Sequence, residues 1–182
     1  MLKKTILILI FFTTSIDGYL QNLIKFQEIK YYSNPVYSPL YSVVNNYLIK
    51  LKSDNTGKII YTIKIDSTQN EALIYEFNIS KDDIAQLNNI LNENKIVELD
   101  HTYDEKYPQN YTLLNELAQI TYAKYIPNDS IEARVNSKEL RLSVSVKNEY
   151  VKLLEIFYAK IKGLVPQDIW DKIRLREKEI LK

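Results

Sequence analysis

The sequence predicts an α+β domain with a mainly antiparallel sheet that carries two or three helices on one face, preceded by a signal peptide. Apolar and polar residues alternate with the strand period of two in successive short segments between residues 47 and 79. Apolar residues recur at helical spacing over residues 81–94 and 149–162. The strands follow one another along the chain, and this meander order favours antiparallel pairing with one face buried.

The first twelve residues, MLKKTILILIFF, place two lysines ahead of an apolar run, and polar Thr13 to Ser15 follow directly. That run is much shorter than the roughly 20 residues that a membrane-spanning helix needs. This order is typical of a cleaved signal peptide, and we expect cleavage between Ser15 and Tyr19. Residues 1–18 are therefore predicted to be the signal peptide. Residues 19–182 are predicted to be a single exported α+β domain, secreted or periplasmic, with no transmembrane anchor in the mature chain.

The composition excludes several classes of function. The chain has no cysteine and only three glycines, so thiolate chemistry and glycine-rich phosphate loops are not expected, and no cofactor is predicted. Removing residues 1–18 takes Lys3, Lys4 and Asp17 from the 24 basic and 23 acidic residues, which leaves 22 of each. A neutral chain of mixed charge does not favour nucleic acid as a partner.

The first half of the mature chain contains three predicted strands and a helix. Residues 23–32 form a first strand or an extended arm, and the prolines at 35 and 39 predict an extended loop over 33–42. Alternation on both sides of SDNTG predicts a β-hairpin in which Gly57 supplies the positive φ, and a third strand follows around Leu73 to Ile79. Ser80 and Asp83 have capping-box spacing, so a helix is expected to begin there.

The second half is predicted to add short strands and two more helices. Residues 95–100, 119–126 and 139–147 are expected to be strands, and residues 101–110 a loop. The helix over 149–162 is expected to end at Gly163 in a left-handed cap, and Pro166 suits the first turn of a last helix.

The segment YSPLYS is followed by a strand, an Asp-x-x-Gly turn, two more strands, ISKDDIAQLNNIL and NKIVELD, over roughly residues 37–103. This layout resembles a family of small exported bacterial domains of unknown function. Members often carry cysteines just ahead of the hairpin, where this chain has Ser33, Pro35, Ser38 and Pro39. The resemblance implies a fold and an exported location, and it implies no catalytic residue.

Tyrosines are the unusual chemical resource of this chain. Tyr31, Tyr32, Tyr37 and Tyr41 cluster around the two prolines of the early loop. Such rings stack on sugars or fill protein interfaces, because they bury a large area and freeze few rotors. We therefore expect these four residues to contact a ligand or partner, either another envelope protein or a glycan. The polar side of strand 139–147 is expected to take part.

The sequence favours a non-enzymatic binding or structural role and leaves two alternatives open. One is a hydrolase that uses His101, the only histidine, as a base beside Asp100 or Asp104. The other is a proteinaceous inhibitor that presents a rigid loop. The acids around His101 lack the glycine and the twelfth-position glutamate of a calcium-binding loop, so no metal site is predicted.

Overall fold

A computed structural model describes residues 23–33, 46–65, 69–99, 116–125, 134–142 and 148–180. In this part of the chain six strands form one sheet and three α-helices pack against it. The elements are β1 Leu23–Ser33, β2 Asn46–Lys52, β3 Thr56–Lys64, β4 Asn70–Asn78, α1 Lys81–Glu93, β5 Glu116–Tyr125, β6 Arg134–Leu142, α2 Asn148–Gly163 and α3 Gln167–Ile180. All neighbouring strands are antiparallel, in the order β4-β3-β2-β1-β5-β6. The predicted α+β class is confirmed.

The predicted hairpin is confirmed as β2 and β3, but the role predicted for Gly57 is wrong. The positive φ of 73° belongs to Asn55, and Gly57 does not have a positive φ. Asparagine tolerates this conformation, and its side-chain amide donates to the carbonyl of Ile79 at 2.8 Å. Gly57 serves packing instead, because a Cβ at this position would lie within 3.0 Å of three ring carbons of Phe77.

The first predicted strand is β1, which lies inside the sheet between β2 and β5. Its register against β5 shifts between Phe26 and Glu28, so Gln27 is an extra residue in a β-bulge. Buried positions change there from the even residues Ile24 and Phe26 to the odd residues Ile29 and Tyr31. The bulge keeps both sets of side chains on the same face of the sheet.

Helix α1 covers the part of β1 that extends beyond β2. Asn92 accepts from the backbone N–H of Ile24 at 2.9 Å and donates to the carbonyl of Ile24 at 2.8 Å. Asn88 accepts from the N–H of Phe26 at 3.0 Å. These amides replace the missing neighbouring strand and satisfy backbone groups that would otherwise lack a partner. Lys160 of α2 donates to Asp83 of α1 at 2.8 Å and joins the two helices.

The core lies between one face of the sheet and the three helices. Its fully buried side chains include Phe26, Ile29, Tyr31, Ile49, Leu51 and Ile59 from the sheet and Leu87, Leu91, Phe157, Tyr158, Ile161 and Ile173 from the helices. Arg176 of α3 forms a paired contact with Glu71 of β4 at 2.8 and 2.9 Å and fixes the last helix to the sheet edge.

Two further segments and one helix cap differ from the sequence prediction. Residues 95–100 were expected to be a strand, but Ile96–Glu98 form a 3-10 turn because Lys95 has a left-handed backbone with φ 49°. The strand predicted over 139–147 begins earlier, at Arg134, and residues 143–147 lie outside the described residues. Helix α2 ends at Gly163 as predicted, without the positive φ of a left-handed cap. Among the described helices none combines the length and apolar character that crossing a membrane requires.

Candidate functional site

The sheet has one face against the helices and a second face that no described helix covers, which we call the open face. Strand alternation places every second residue on each face. The register of the six strands aligns the open-face residues in rows that run across the sheet. One of these rows extends over all six strands and a neighbouring row over five, and the two have contrasting chemistry.

The first of these rows, which we call the lysine row, has three lysines at its centre and an acid at each end. Lys58, Lys50 and Lys30 are direct cross-strand partners on β3, β2 and β1. Across the sheet the row consists of Glu76, Lys58, Lys50, Lys30, Gln119 and Glu139. Neighbouring strands are about 4.8 Å apart, so three ammonium-bearing side chains emerge within about 10 Å.

The three lysines are neutralised unequally. Lys30 pairs with Glu28 at 3.1 Å, and Lys58 pairs with Glu76 at 3.0 Å. The hydrogen bond and charge of Glu28 raise the pKa of Lys30 above its ordinary value, so Lys30 remains a cation. Lys50 lies between them and forms no ion pair within the described part of the chain. The centre of the row therefore carries a positive charge without a matched acid.

The second row, which we call the apolar row, lies directly beside the lysine row. It contains Ile74, Ile60, Leu48, Tyr32 and Leu117, one from each of β4, β3, β2, β1 and β5. Along each strand, the residue of the apolar row is two positions from the residue of the lysine row, which corresponds to about 7 Å. Ile74 is 55% exposed, and the other four are half-buried. The open face thus presents an apolar stripe parallel to a cationic one.

Two shallow depressions flank Glu28 on the open face. The larger has a volume of about 630 Å³ and is lined by Lys50, Lys52 and Lys58 together with Glu28 and Glu76. The smaller, of about 290 Å³, lies over β1, β5 and β6. Their polar linings and open shape suit contact with a broad surface rather than enclosure of a small molecule.

The four predicted contact tyrosines have different positions. Tyr32 is half-buried in the apolar row, and its hydroxyl lies 3.5 Å from the amide oxygen of Gln119. Tyr31 is fully buried in the core, with its ring 5.1 Å from that of Tyr158. Tyr37 and Tyr41 lie outside the described residues. Of the four, Tyr32 is the residue that the described structure places on the open face.

Tyr31 belongs to a polar cluster at the end of the core. Its hydroxyl donates to Glu116 of β5, which also accepts from Lys162 of α2 at 2.8 Å. Burial raises the pKa of Tyr31 well above its ordinary value, and the hydrogen bond to Glu116 raises it further. The phenol therefore stays protonated and acts as a donor that joins β1, β5 and α2.

The residues proposed for the hydrolase alternative, Asp100, His101 and Asp104, lie outside the described residues. Within the described part of the chain no group of three or more histidine, cysteine, aspartate or glutamate side chains is placed to hold a metal ion. Comparison with known proteins finds no matching family model and no curated protein of significant similarity. The layout resemblance to exported bacterial domains therefore stays a prediction.

The lysine row was not predicted from the sequence. Part of its signal was present, because Lys50 and Lys58 occupy the polar positions of the two alternating strands that the hairpin joins. In the structure the turn is centred on Asp54, with the positive φ at Asn55, and this register places the two lysines opposite each other. Lys30 joins them only through the pairing of β1 with β2, which are separated in the sequence by residues 34–45.

Proposed function

We propose that this protein is a non-enzymatic binding domain that acts outside the cytoplasm and uses the open face of its sheet to contact another envelope protein. The observation that carries this proposal is the pair of parallel rows, cationic and apolar, on a sheet face that no described helix covers. Sheets that are solvated on one face normally present alternating polar residues there. A continuous apolar row beside three adjacent lysines departs from that pattern and suits a partner.

The lysine row destabilises the sheet through repulsion between like charges, and this cost in stability supports a role in binding. Like charges placed directly opposite one another on neighbouring strands destabilise a sheet. Lys30, Lys50 and Lys58 form two such contacts in succession. Local choices that oppose folding are concentrated at functional sites in natural proteins.

A protein partner fits the open face better than a glycan. Glycan sites rely on exposed aromatic rings for stacking. The apolar row instead consists mainly of aliphatic side chains, and its single ring, Tyr32, is half-buried. Aliphatic and cationic side chains together match a protein surface.

The signal peptide predicted over residues 1–18 supports action outside the cytoplasm. The test is expression of the full chain in a bacterial host, followed by fractionation and intact-mass measurement. We expect a processed chain that begins between residues 16 and 19 in the periplasm or medium. An unprocessed chain in the cytoplasm would overturn this part of the proposal.

The absence of cysteine allows a direct test of the binding surface. A Gln119→Cys variant places one thiol on the open face, and a Glu155→Cys variant places one on the exposed side of α2. Each variant of residues 19–182 is coupled to a 5-kDa polyethylene glycol maleimide, and labelled and unlabelled forms are used as baits for the native envelope fraction.

We expect one component to bind both unlabelled baits and the labelled Glu155→Cys bait, and to be lost with the labelled Gln119→Cys bait. Equal capture by both labelled baits would place the interface elsewhere. If the unlabelled baits capture nothing, the binding role itself is wrong.

A further inference from the structure

We infer that the partner presents a short acidic amphipathic helix whose carboxylates lie along the lysine row and whose apolar side chains lie on the apolar row. This inference rests on the proposed function and names the chemistry of the partner. It is carried by three features of the open face: an unneutralised central lysine, acids that close the row at both ends, and the distance between the two rows.

The central lysine, Lys50, indicates that the charge supplied by the partner is negative. Lys30 and Lys58 each have a carboxylate within 3.1 Å, whereas Lys50 has none among the described residues. A carboxylate that reaches Lys50 also relieves its repulsion with both neighbours. The gain from binding an anion is therefore greatest at the middle of the row.

The ends of the row limit the length of the anion. Glu76 and Glu139 occupy its two outermost positions, on β4 and β6. A long polyanion, such as a nucleic acid or a sulfated glycan, would meet these carboxylates as it crossed the sheet. Two or three carboxylates within about 10 Å match the lysines without reaching the acids.

The spacing of the rows favours a helix over an extended peptide. Residues three or four apart on a helix are about 5–6 Å apart, close to the strand spacing that separates the lysines. The open face is about 24 Å wide from β4 to β6, which a helix of about 16 residues spans. When such a helix lies across the strands, its acidic stripe follows the lysine row and its adjacent apolar stripe follows the apolar row. An extended peptide would instead pair with a sheet edge.

The test uses two fluorescein-labelled synthetic 18-residue helical peptides. The first, called the Glu peptide, has leucines on one stripe and three glutamates on the next, and the second, called the Gln peptide, has glutamine in place of each glutamate. Binding to residues 19–182 is measured by fluorescence anisotropy at 50 and 500 mM NaCl. We expect the Glu peptide to bind about tenfold more tightly at 50 mM, because three exposed charge contacts each contribute about two- to threefold. At 500 mM NaCl the ratio of the two affinities is expected to fall towards one, because salt screens the charge contacts.

Two triple variants localise the effect. Replacing Lys30, Lys50 and Lys58 by glutamine is expected to remove the preference for the Glu peptide. The matched replacement of three exposed lysines on the helices, Lys81, Lys152 and Lys178, changes the net charge equally and is expected to preserve the preference. Circular dichroism and thermal melting of both triples confirm that they are folded.

Three results would overturn the inference. They are equal binding of the two peptides to the wild type, equal loss of preference in both triple variants, and binding of heparin that is tighter than that of the Glu peptide and depends on the same lysines. The polyethylene glycol experiment separates these results from the proposed function. If the labelled Gln119→Cys bait still loses its envelope component, the open face is a binding surface whose partner is not an acidic helix.

Discussion

Neutralising Lys50 is expected to stabilise the protein while it weakens binding of an anion. This residue has Lys30 and Lys58 as direct cross-strand partners, and no carboxylate pairs with it among the described residues. Its charge therefore opposes folding in the free protein. The Lys50→Gln variant removes the charge and keeps a long polar side chain, and the Lys50→Glu variant reverses it.

The magnitude follows from the row geometry. At about 6 Å between ammonium groups in water, Coulomb's law gives about 0.7 kcal/mol per pair, and physiological salt roughly halves that value. Two neighbours then destabilise the fold by about 0.7 kcal/mol, which is an upper value because Glu28 and Glu76 offset part of it. The Lys50→Gln variant should melt about 1–2 °C higher, and the Lys50→Glu variant about 2–4 °C higher.

The assay is thermal and urea unfolding of residues 19–182 at 0.05, 0.15 and 1 M NaCl. At 1 M the Debye length is about 3 Å, so the differences between variants should nearly vanish. Lys152→Gln, an exposed change on α2, is the matched control and should shift the melting temperature little at any salt concentration. A Lys50→Gln variant that is less stable than the wild type, or a gain that persists at 1 M NaCl, would refute the electrostatic reasoning.

Three further predictions concern the fold. Gly57→Ala should destabilise by about 1–3 kcal/mol in urea unfolding, because its Cβ would overlap the ring of Phe77, and adding Phe77→Leu should restore part of the loss. Asn92→Ala removes both side-chain hydrogen bonds to the β1 edge and should cost about 1–3 kcal/mol, whereas Asn89→Ala on the exposed side of α1 should not. The hydrogen bond from the α2 lysine lowers the pKa of Asp83 below its ordinary 3.8, so its contribution is present above pH 4 and is lost as pH falls through the lowered pKa. Asp83→Asn should therefore be less stable than the wild type at pH 7, and this difference should shrink as the pH falls below 4. A difference that stays constant on acidification would contradict the assignment.

The elements that sequence predicted well are those with local signals. Strand β4 alternates Leu73, Tyr75 and Phe77 towards the core with exposed Ile74 on the other face, as its pattern indicates. Helix α1 begins after Ser80, whose hydroxyl accepts from the N–H of Asp83, as the capping-box spacing predicts. Each of these signals is contained within a few neighbouring residues, and the tertiary structure keeps the local structure that each signal predicts.

Strand β1 shows why a clean period is not always visible. Its apolar residues fit neither a strand nor a helix over their whole length, since the bulge at Gln27 moves the buried set from even to odd positions. The bulge is set by pairing with β5, nearly a hundred residues away in the chain. Two short alternating segments of opposite parity are the trace that such a bulge leaves in a sequence.

The lysine row illustrates a limit of reading one segment at a time. Each of Lys30, Lys50 and Lys58 reads alone as an ordinary solvated residue on the polar side of a strand, and their meaning arises only from the order β3-β2-β1 and its register. A shift of one residue in either pairing would move a lysine to the buried face and separate the three charges. The buried apolar face therefore fixes the register, and the register in turn holds the three like charges together on the open face. Because the core enforces this arrangement, the repulsion cannot relax by sliding the strands, and in the proposed complex an acidic partner would offset the part that Glu28 and Glu76 leave.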